Sequence, residues 1–266
     1  LNKEPLVTIF VLIYNNPDGL KTTVDSLLNQ TYRNAEILLS DDGSTKYDTA
    51  ILEDYAKRLR KKYHQVRVNV NDKNVGTVRH LNKVFQMAKG EYLFSCSSGD
   101  RFHSNTTVEC LVEAFLRKNA LIITTRRYDV DKELHHRMKP FILVGMALRL
   151  APRKLMNYMV RKRNLLSGCC TFYRKELFEQ YGYHDEDYFL VEDYPYYIDL
   201  LRRNIRINWS PLVTIDHEIG GVSTGKVHPG IYRDIELLRE KLYPIRSEFD
   251  RSTRVFLEKC HNKMED

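Results

Sequence analysis

Residues 5–16 constrain the fold more than any other stretch of the chain. Pro5-Leu6-Val7-Thr8-Ile9-Phe10-Val11-Leu12-Ile13-Tyr14 is apolar and β-branched almost throughout, and it ends abruptly in Asn15-Asn16-Pro17. A run without polar alternation reads as a strand covered on both faces, as in parallel sheets, and Asn-Pro at its end reads as a helix start. The following segments keep that rhythm. A helix is expected over 17–31, with Leu20, Val24, Leu27 and Leu28 at helical spacing, then strand 35–40, helix 47–62, strand 66–70, helix 75–88 and strand 92–96. Parallel strands need crossover helices, so this alternation predicts an α/β, Rossmann-like, doubly wound and mostly parallel sheet.

Ligands bind at the carboxyl ends of the strands in such a sheet. The second strand empties into Asp41-Asp42-Gly43-Ser44. Carboxylates there can accept hydrogen bonds from a base or ribose, while Gly43 lets the backbone turn away; the same residues also suit a plain turn and helix cap. Strand 90–96 runs on into Ser97-Ser98-Gly99-Asp100, which places Asp100 at the same edge. It is a hard oxygen ligand for a divalent cation bridging a diphosphate, or an ordinary turn residue. Glu192-Asp193 opens a helix over 194–203 with Pro195 in its first turn, where a carboxylate could deprotonate an acceptor hydroxyl or merely complement the helix dipole. His217 ends a strand over 213–218, before a glycine-rich loop at 219–226, and reads as a metal ligand, a diphosphate contact or a packed histidine.

With 266 residues and 42% hydrophobic content, the chain can bury the core of one large or two closely joined domains. No apolar run approaches the roughly 20 residues needed to cross a bilayer, and no secretory leader is evident, so a cytoplasmic protein is expected. Cys96, Cys110, Cys169, Cys170 and Cys260 form an odd set without C-x-x-C spacing. Buried free thiols are expected rather than a disulfide framework or a zinc site. Asn-x-Ser/Thr triplets begin at Asn29, Asn105 and Asn208 and carry weight only in a secreted chain. The net charge of +7 admits nucleic acid, anionic lipid or phosphorylated substrates as partners, but no nucleic-acid-binding signature accompanies it. Basic residues concentrate at 117–163, where Phe141 to Val144, Leu148, Leu155, Met156 and Met159 alternate with Arg149, Arg153, Lys154, Arg161, Lys162 and Arg163. That pattern fits an interfacial helix pair or a solvated basic face equally well.

Taken together, the order and spacing of these pieces resemble the family 2 inverting glycosyltransferases of the GT-A fold, of the bacterial polysaccharide-assembly type. The similarity runs from about Pro5 to Ser223. It rests on Tyr14-Asn15, on Ser26 to Tyr32, on Asp41 to Ser44, on Asn74-Val75-Gly76 with Asn82, on Ala88-Lys89-Gly90-Glu91-Tyr92, on Leu166 to Arg174, and on the pair Glu192-Asp193. The family's acidic metal motif is shortened here, with Ser97 and Gly99 in place of carboxylates and only Asp100 kept.

The resemblance implies an inverting transfer of a sugar, as in polysaccharide or capsule synthesis, from a nucleotide-sugar, most simply a UDP-sugar, to a glycan or lipid-linked oligosaccharide hydroxyl. Asp193 would be the catalytic base, supported by Glu192. Thr8, Ile13, Tyr14, Asn15, Asp41, Asp42 and Arg79 would bind the nucleotide, with Asp41 on uracil. Asp100 and His217 would hold a divalent cation, manganese or magnesium. Residues 1–103 would form the nucleotide-sugar half, 104–226 the acceptor half and 227–266 a C-terminal helical extension, with peripheral contact at the inner face of the membrane through 140–163. A catalytically silent sugar-nucleotide-binding relative is an alternative, motivated by Ser97 and Gly99. A nucleotidyltransferase is another, though Tyr14-Asn15-Asn16-Pro17 is not the glycine-rich phosphate loop it needs.

Overall fold

The computed structural model describes residues 4–131, 136–140, 142–220 and 228–265. The opening run forms strand β1 (Val7–Ile13), followed by α1 (Pro17–Asn29), β2 (Ala35–Asp41), α2 (Ile51–Leu59), β3 (Gln65–Val70), α3 (Thr77–Met87) and β4 (Tyr92–Ser95). Asn16 caps α1 by accepting the Gly19 N–H, and Pro17 occupies the first turn, where its missing N–H is harmless. Strands β3-β2-β1-β4 lie side by side and parallel, with Val7 opposite Ala35 and Tyr92, and Ile13 opposite Asp41.

The second half joins this sheet with reversed strands. It comprises β5 (Arg101–Phe102), α4 (Thr107–Lys118), β6 (Ile122–Val130), β7 (His136–Lys139), α5 (Ile142–Ala147), α6 (Pro152–Arg161), β8 (Thr171–Arg174), α7 (Glu176–Tyr181), α8 (Asp193–Arg202), β9 (Asn208–Glu218), α9 (Pro229–Leu242) and α10 (Arg251–Glu265). The sheet order continues β4-β8-β6-β9-β5, with β8 antiparallel to both neighbours, β9 parallel to β6, and β7 paired to β6. The result is a mixed α/β sheet whose first half is the expected parallel one.

Two differences from the expected elements have local causes. Helix 47–62 shortens to α2 because Tyr47 is tied to Asp41 and Asp48 accepts the Ala50 N–H, which holds the preceding loop out of the helix. Strand 213–218 extends back to Asn208 across Pro211; the pairing with β6 shifts between Thr124 and Arg126, and such an irregularity accommodates a residue that has no N–H to donate.

Strand alternation sorts the core into two layers. Val7, Ile9, Val11 and Ile13 pack with α1, α2 and α4, while Phe10 packs on the other face with α3, α6 and α8. The second layer runs without a break from Phe10 and Leu38 to Leu238, Leu242 and Leu257 of α9 and α10. The terminal helices therefore share the main core. In α6 the apolar side, Leu155, Met156, Met159 and Val160, is buried in that layer and the basic side is exposed. Of the apolar run at 141–144, Phe141 and the side chains of Ile142 and Leu143 lie outside the described residues, as do residues 221–226 of the glycine-rich loop.

Candidate active site

The carboxyl ends of β1, β2 and β4 meet at one edge. Asp41 ends β2 wholly buried, its Oδ1 accepting the Ser44 N–H at 2.7 Å and its Oδ2 accepting the hydroxyls of Ser44 and Tyr47 at 2.6 Å each. Gly43 makes this turn possible, since its φ of 69° is left-handed and a β-carbon would meet the Lys73 backbone at 2.3 Å. Asn15, itself left-handed at φ 52°, donates its N–H to Ser44 Oγ and accepts the N–H groups of Thr45 and Lys46 through Oδ1. Asp42 braces the β3–α3 connection, taking hydrogen bonds from Asn71, Asn74, and the N–H groups of Val75 and Gly76.

The expected nucleotide residues therefore divide. Tyr14 stands at the mouth with 52% of its surface exposed. Asn15, Asp41 and Asp42 line the same edge but spend their polar atoms on the loops. Ile13 is buried in the α1/α2 layer, so only its backbone, which accepts the Asp42 N–H, belongs to the edge. Thr8 does not reach the mouth. It lies five residues upstream on β1, roughly 16 Å away at the rise of a strand, fully buried and bonded to Glu36 and the Gly90 N–H. Arg79 is mostly exposed at the start of α3 and faces Glu186 at 3.7 Å.

Next along the edge, Asn16 Nδ2 donates to the Ser98 carbonyl and Ser98 Oγ donates back to the Asn16 carbonyl, tying β1 to the turn that carries Asp100. Gly99 in that turn has φ 101°, and a β-carbon there would lie 2.2 Å from Glu218 Oε2. The volume an acidic side chain would need at position 99 is thus filled by Glu218. Asp100 is buried, and its Oδ1 accepts His217 Nδ1–H at 2.8 Å and the Glu218 N–H at 3.2 Å. Asp100 Oδ2 and His217 Nε2 are both buried without a hydrogen-bond partner. Cys169 completes a cluster in which one donor atom from each of Asp100, Cys169 and His217 lies within 4.8 Å of the others. Carboxylate, imidazole and thiolate are all cation ligands, so these residues fit a divalent ion.

Cys169 belongs to a 3-10 turn, Gly168–Cys170, and the carboxylate pair packs against the same turn. A β-carbon on Gly168 would lie 3.3 Å from Glu192 Oε1 and 3.5 Å from Asp193 Oδ2. Asp193 begins α8 and accepts Asn164 Nδ2–H at 3.2 Å. Burial pushes Asp193 up to about 6. Burial, followed by the charge of Asp193, pushes Glu192 up to about 8. Two carboxylates so enclosed resist carrying two negative charges near neutral pH, and the one that ionises is a base of raised proton affinity.

Four contributors went unread in the sequence. Arg127 on β6 is nearly buried; it donates to Asp129 Oδ1 at 2.7 Å and Cys169 Sγ at 2.9 Å, and also contacts Ser167 Oγ. Cys169, among the thiols expected to be buried and free, is free and half-buried, and it sits beside Asp100 and His217, held down to about 6 by the hydrogen bond from Cys170, with the Arg127 charge acting in the same direction against burial. Asn164 touches Asp193. Asp234 of α9 is fully buried and accepts the N–H groups of Phe189, Leu190 and Val191, the strand of chain leading into Glu192. Only Asp234 left a trace, as a carboxylate on the apolar face of the helix holding Ile231, Ile235 and Leu238. A shallow depression of about 770 Å³ between Pro17 and Lys57 adjoins Tyr47, but Asp18, Asp48, Glu53 and Asp54 line it, which disfavours a diphosphate.

Comparison with known proteins identifies the family and the fold. The profile of glycosyl transferase family 2 matches residues 8–182. An uncharacterized glycosyltransferase of Bacillus subtilis, EpsJ, is 28% identical over 205 residues, covering 76% of this chain and 58% of that protein. Chondroitin synthase of Escherichia coli is 31% identical over 137 residues, half of this chain and 19% of that one. The chain spans about three fifths of the length of the first curated relatives, 63% and 58% of two of them. Among solved structures, Staphylococcus aureus TarS in complex with UDP-GlcNAc superposes with a TM-score of 0.67 at 16% identity, covering 89% of this chain and 66% of that one. A mannosyltransferase from Pyrobaculum calidifontis in complex with GDP-Man and Mn2+ gives 0.64 at 16% identity, covering 90% and 64%.

Proposed function

The chain belongs to glycosyl transferase family 2, and on that premise we propose that it moves a sugar from a nucleotide-sugar donor, most simply a UDP-sugar, to a hydroxyl of a glycan or lipid-linked acceptor, with inversion at the anomeric carbon. The observation that carries this reading is the single turn at Gly168–Cys170. Glu192 and Asp193 pack against its first residue, and its second sits with Asp100 and His217. In-line displacement at a sugar carbon needs a base for the acceptor and positive charge for the leaving diphosphate, and both candidate groups adjoin this turn.

Asp193 takes the acceptor proton in this scheme, because its raised proton affinity matches general-base work near neutral pH. Glu192, held protonated by burial and by its neighbour's charge, leaves the negative charge on Asp193. Asp100 and His217 would hold a divalent cation, which would supply positive charge for the departing diphosphate. Arg127, anchored by Asp129, adds a fixed cation beside that cluster. Tyr14 at the mouth offers an exposed ring to the base. Asp41 Oδ2 already accepts from Ser44 and Tyr47, so Oδ1, which accepts only the Ser44 N–H, is the oxygen left to meet uracil. The UDP-GlcNAc complex of TarS supports a uridine donor, and the Mn2+ complex of the archaeal mannosyltransferase supports a cation.

General-base catalysis contributes about 10²- to 10⁴-fold, so Asp193→Asn lowers turnover by at least that lower figure while the dissociation constant for UDP stays within about twofold. Retained turnover removes Asp193 from the role. The same calorimetry with GDP and CDP decides the nucleotide: equal affinity for all three discards uracil recognition by Asp41. Turnover of UDP-sugars also rejects the reading as a silent sugar-nucleotide-binding relative.

A further inference from the structure

The acidic motif that usually holds the cation is reduced here to Asp100, and what stands in the missing places is not solvent. Glu218 fills the space beside Gly99, and across the cluster the third donor is sulfur, the thiol of Cys169. We propose that Cys169 is a direct ligand of the cation, so that the site is a carboxylate–thiolate–imidazole centre built for a borderline-soft divalent ion such as Zn²⁺ or Co²⁺ rather than for Mg²⁺. The inference rests on the glycosyltransferase reading only for the ion's role, since the ligand set is read from side-chain placement alone.

The donor atoms converge from three separate elements: the turn after β4, the turn before β8, and the end of β9. His217 Nδ1 and Asp100 Oδ1 face each other at 2.8 Å, so these two donor atoms close on one point, and Nδ1 becomes a ligand when its proton leaves. Asp100 Oδ2 is buried and unpartnered, a destabilising state for an acceptor that a cation at the carboxylate relieves. Cys169 Sγ accepts from the Arg127 guanidinium at 2.9 Å and lies 3.4 Å from Ser167 Oγ, which holds the sulfur in place. Arg127 is in turn held by Asp129, which also pairs with Lys139 at 2.8 Å.

Chemistry then selects the ion. Mg²⁺ binds through oxygen in a near-octahedral shell, and thiolate and imidazole suit it poorly; Zn²⁺ and Co²⁺ accept oxygen, nitrogen and sulfur together. Three protein ligands leave positions for substrate oxygens, the pattern of a catalytic zinc centre rather than a structural one. Cys170, the adjacent cysteine, is not one of the three converging donors; its thiol is spent on the carbonyls of Thr125 and Ser167 and on Cys169.

Cobalt absorption tests this without any turnover. Chelator-treated full-length chain is titrated with Co²⁺ alone, then with Zn²⁺ in competition, and separately with Mg²⁺ and Mn²⁺ by calorimetry. We expect one Co²⁺ bound with a near-ultraviolet thiolate-to-cobalt charge-transfer band, displaced by Zn²⁺, and Zn²⁺ bound at least about tenfold more tightly than Mn²⁺, as the order of divalent affinities for N- and S-containing sites predicts. Cys169→Ser should lose the charge-transfer band and keep the weaker visible bands, while Cys170→Ser keeps both; circular dichroism establishes that each variant is folded. A wild-type cobalt spectrum lacking the band, a band that survives in Cys169→Ser, or no cobalt binding overturns the proposal, and the wild-type spectrum suffices if a variant fails to fold. UDP-sugar turnover with Mn²⁺ in a protein lacking the band would sink Cys169 ligation and spare the transferase; a band in a protein that binds no nucleotide would do the reverse.

Discussion

Burial of Glu192 and Asp193 at the head of α8 gives the chain two pH signatures of definite sign. A base must be ionised to act, and burial raises Asp193 to about 6, so kcat/KM should climb as pH rises through about 6 and level off above it. A rate profile flat from pH 5 to 8 would contradict this. Stability runs the other way. A carboxyl raised in the folded state from 4.5 to about 8 binds its proton more tightly when folded, so its contribution is full below the unfolded value and is lost as pH climbs through the folded one. Glu192→Gln, which cannot ionise, should therefore nearly match the wild type in melting near pH 4.5 and exceed it by about 4 kcal/mol near pH 8. Thermal melts at the two pH values check it, and an equal difference at both would refute the assignment. Asp41 and Asp42 show the limit of reading single residues. Their placement at a strand end was legible, but the Ser44, Tyr47, Asn71 and Asn74 contacts that absorb their oxygens come from folding of the neighbouring loops.

Among the elements, α9 has a duty its amphipathic pattern does not advertise. Asp234 Oδ2 gathers the N–H groups of residues 189–191 at 2.7–3.0 Å, holding the segment that delivers Glu192 and Asp193. Asp234→Ala leaves those buried donors unsatisfied, at a cost of about 1–3 kcal/mol for each left unpaired, and frees the base from its position. The expected result is a melting temperature lowered by several degrees together with a kcat loss greater than any change in donor affinity; a stability loss with kcat intact would make Asp234 purely structural. The parallel strands and their helices were legible because two-sided burial writes an apolar run and one-sided burial writes helical spacing. Strands β5 to β8 were not read as strands. They are short or polar, and β6 carries Arg126, Arg127 and Asp129 along its length, so its identity as a strand depends on partners distant in sequence.

Across the whole molecule, the C-terminal helices expected over 227–266 pack into the core of the preceding residues. Leu238, Leu242, Phe249 and Leu257 lie in the same buried layer as Phe10, Leu38 and the residues of α6 and α8. Ending the chain at residue 226 should abolish the cooperative unfolding transition, because uncovering several large side chains forfeits about 1.5–3 kcal/mol each; a sharp transition in the truncated protein would show that the rest folds without these helices. The exposed edge of α5 and α6 carries Met146, Leu150 and Tyr158 beside Arg149, Arg153 and Lys154. No helix among the described residues is long and apolar enough to cross a membrane. Flotation with anionic vesicles, lost when Arg149, Arg153 and Lys154 become Glu, is the outcome that such a contact predicts; unchanged flotation would exclude this edge. The amino-acid order alone carried the α/β class, the parallel half of the sheet and the positions of Asp41, Asp100 and Asp193 at element ends, because these follow from local periodicity and turn chemistry. The meeting of Asp100, His217 and Cys169, the packing of Glu192 and Asp193 on the same turn, and the hold of Asp234 on their approach were decided only by the tertiary fold. Each joins residues that stand far apart along the chain, and no local pattern records which distant neighbour a buried polar atom will find.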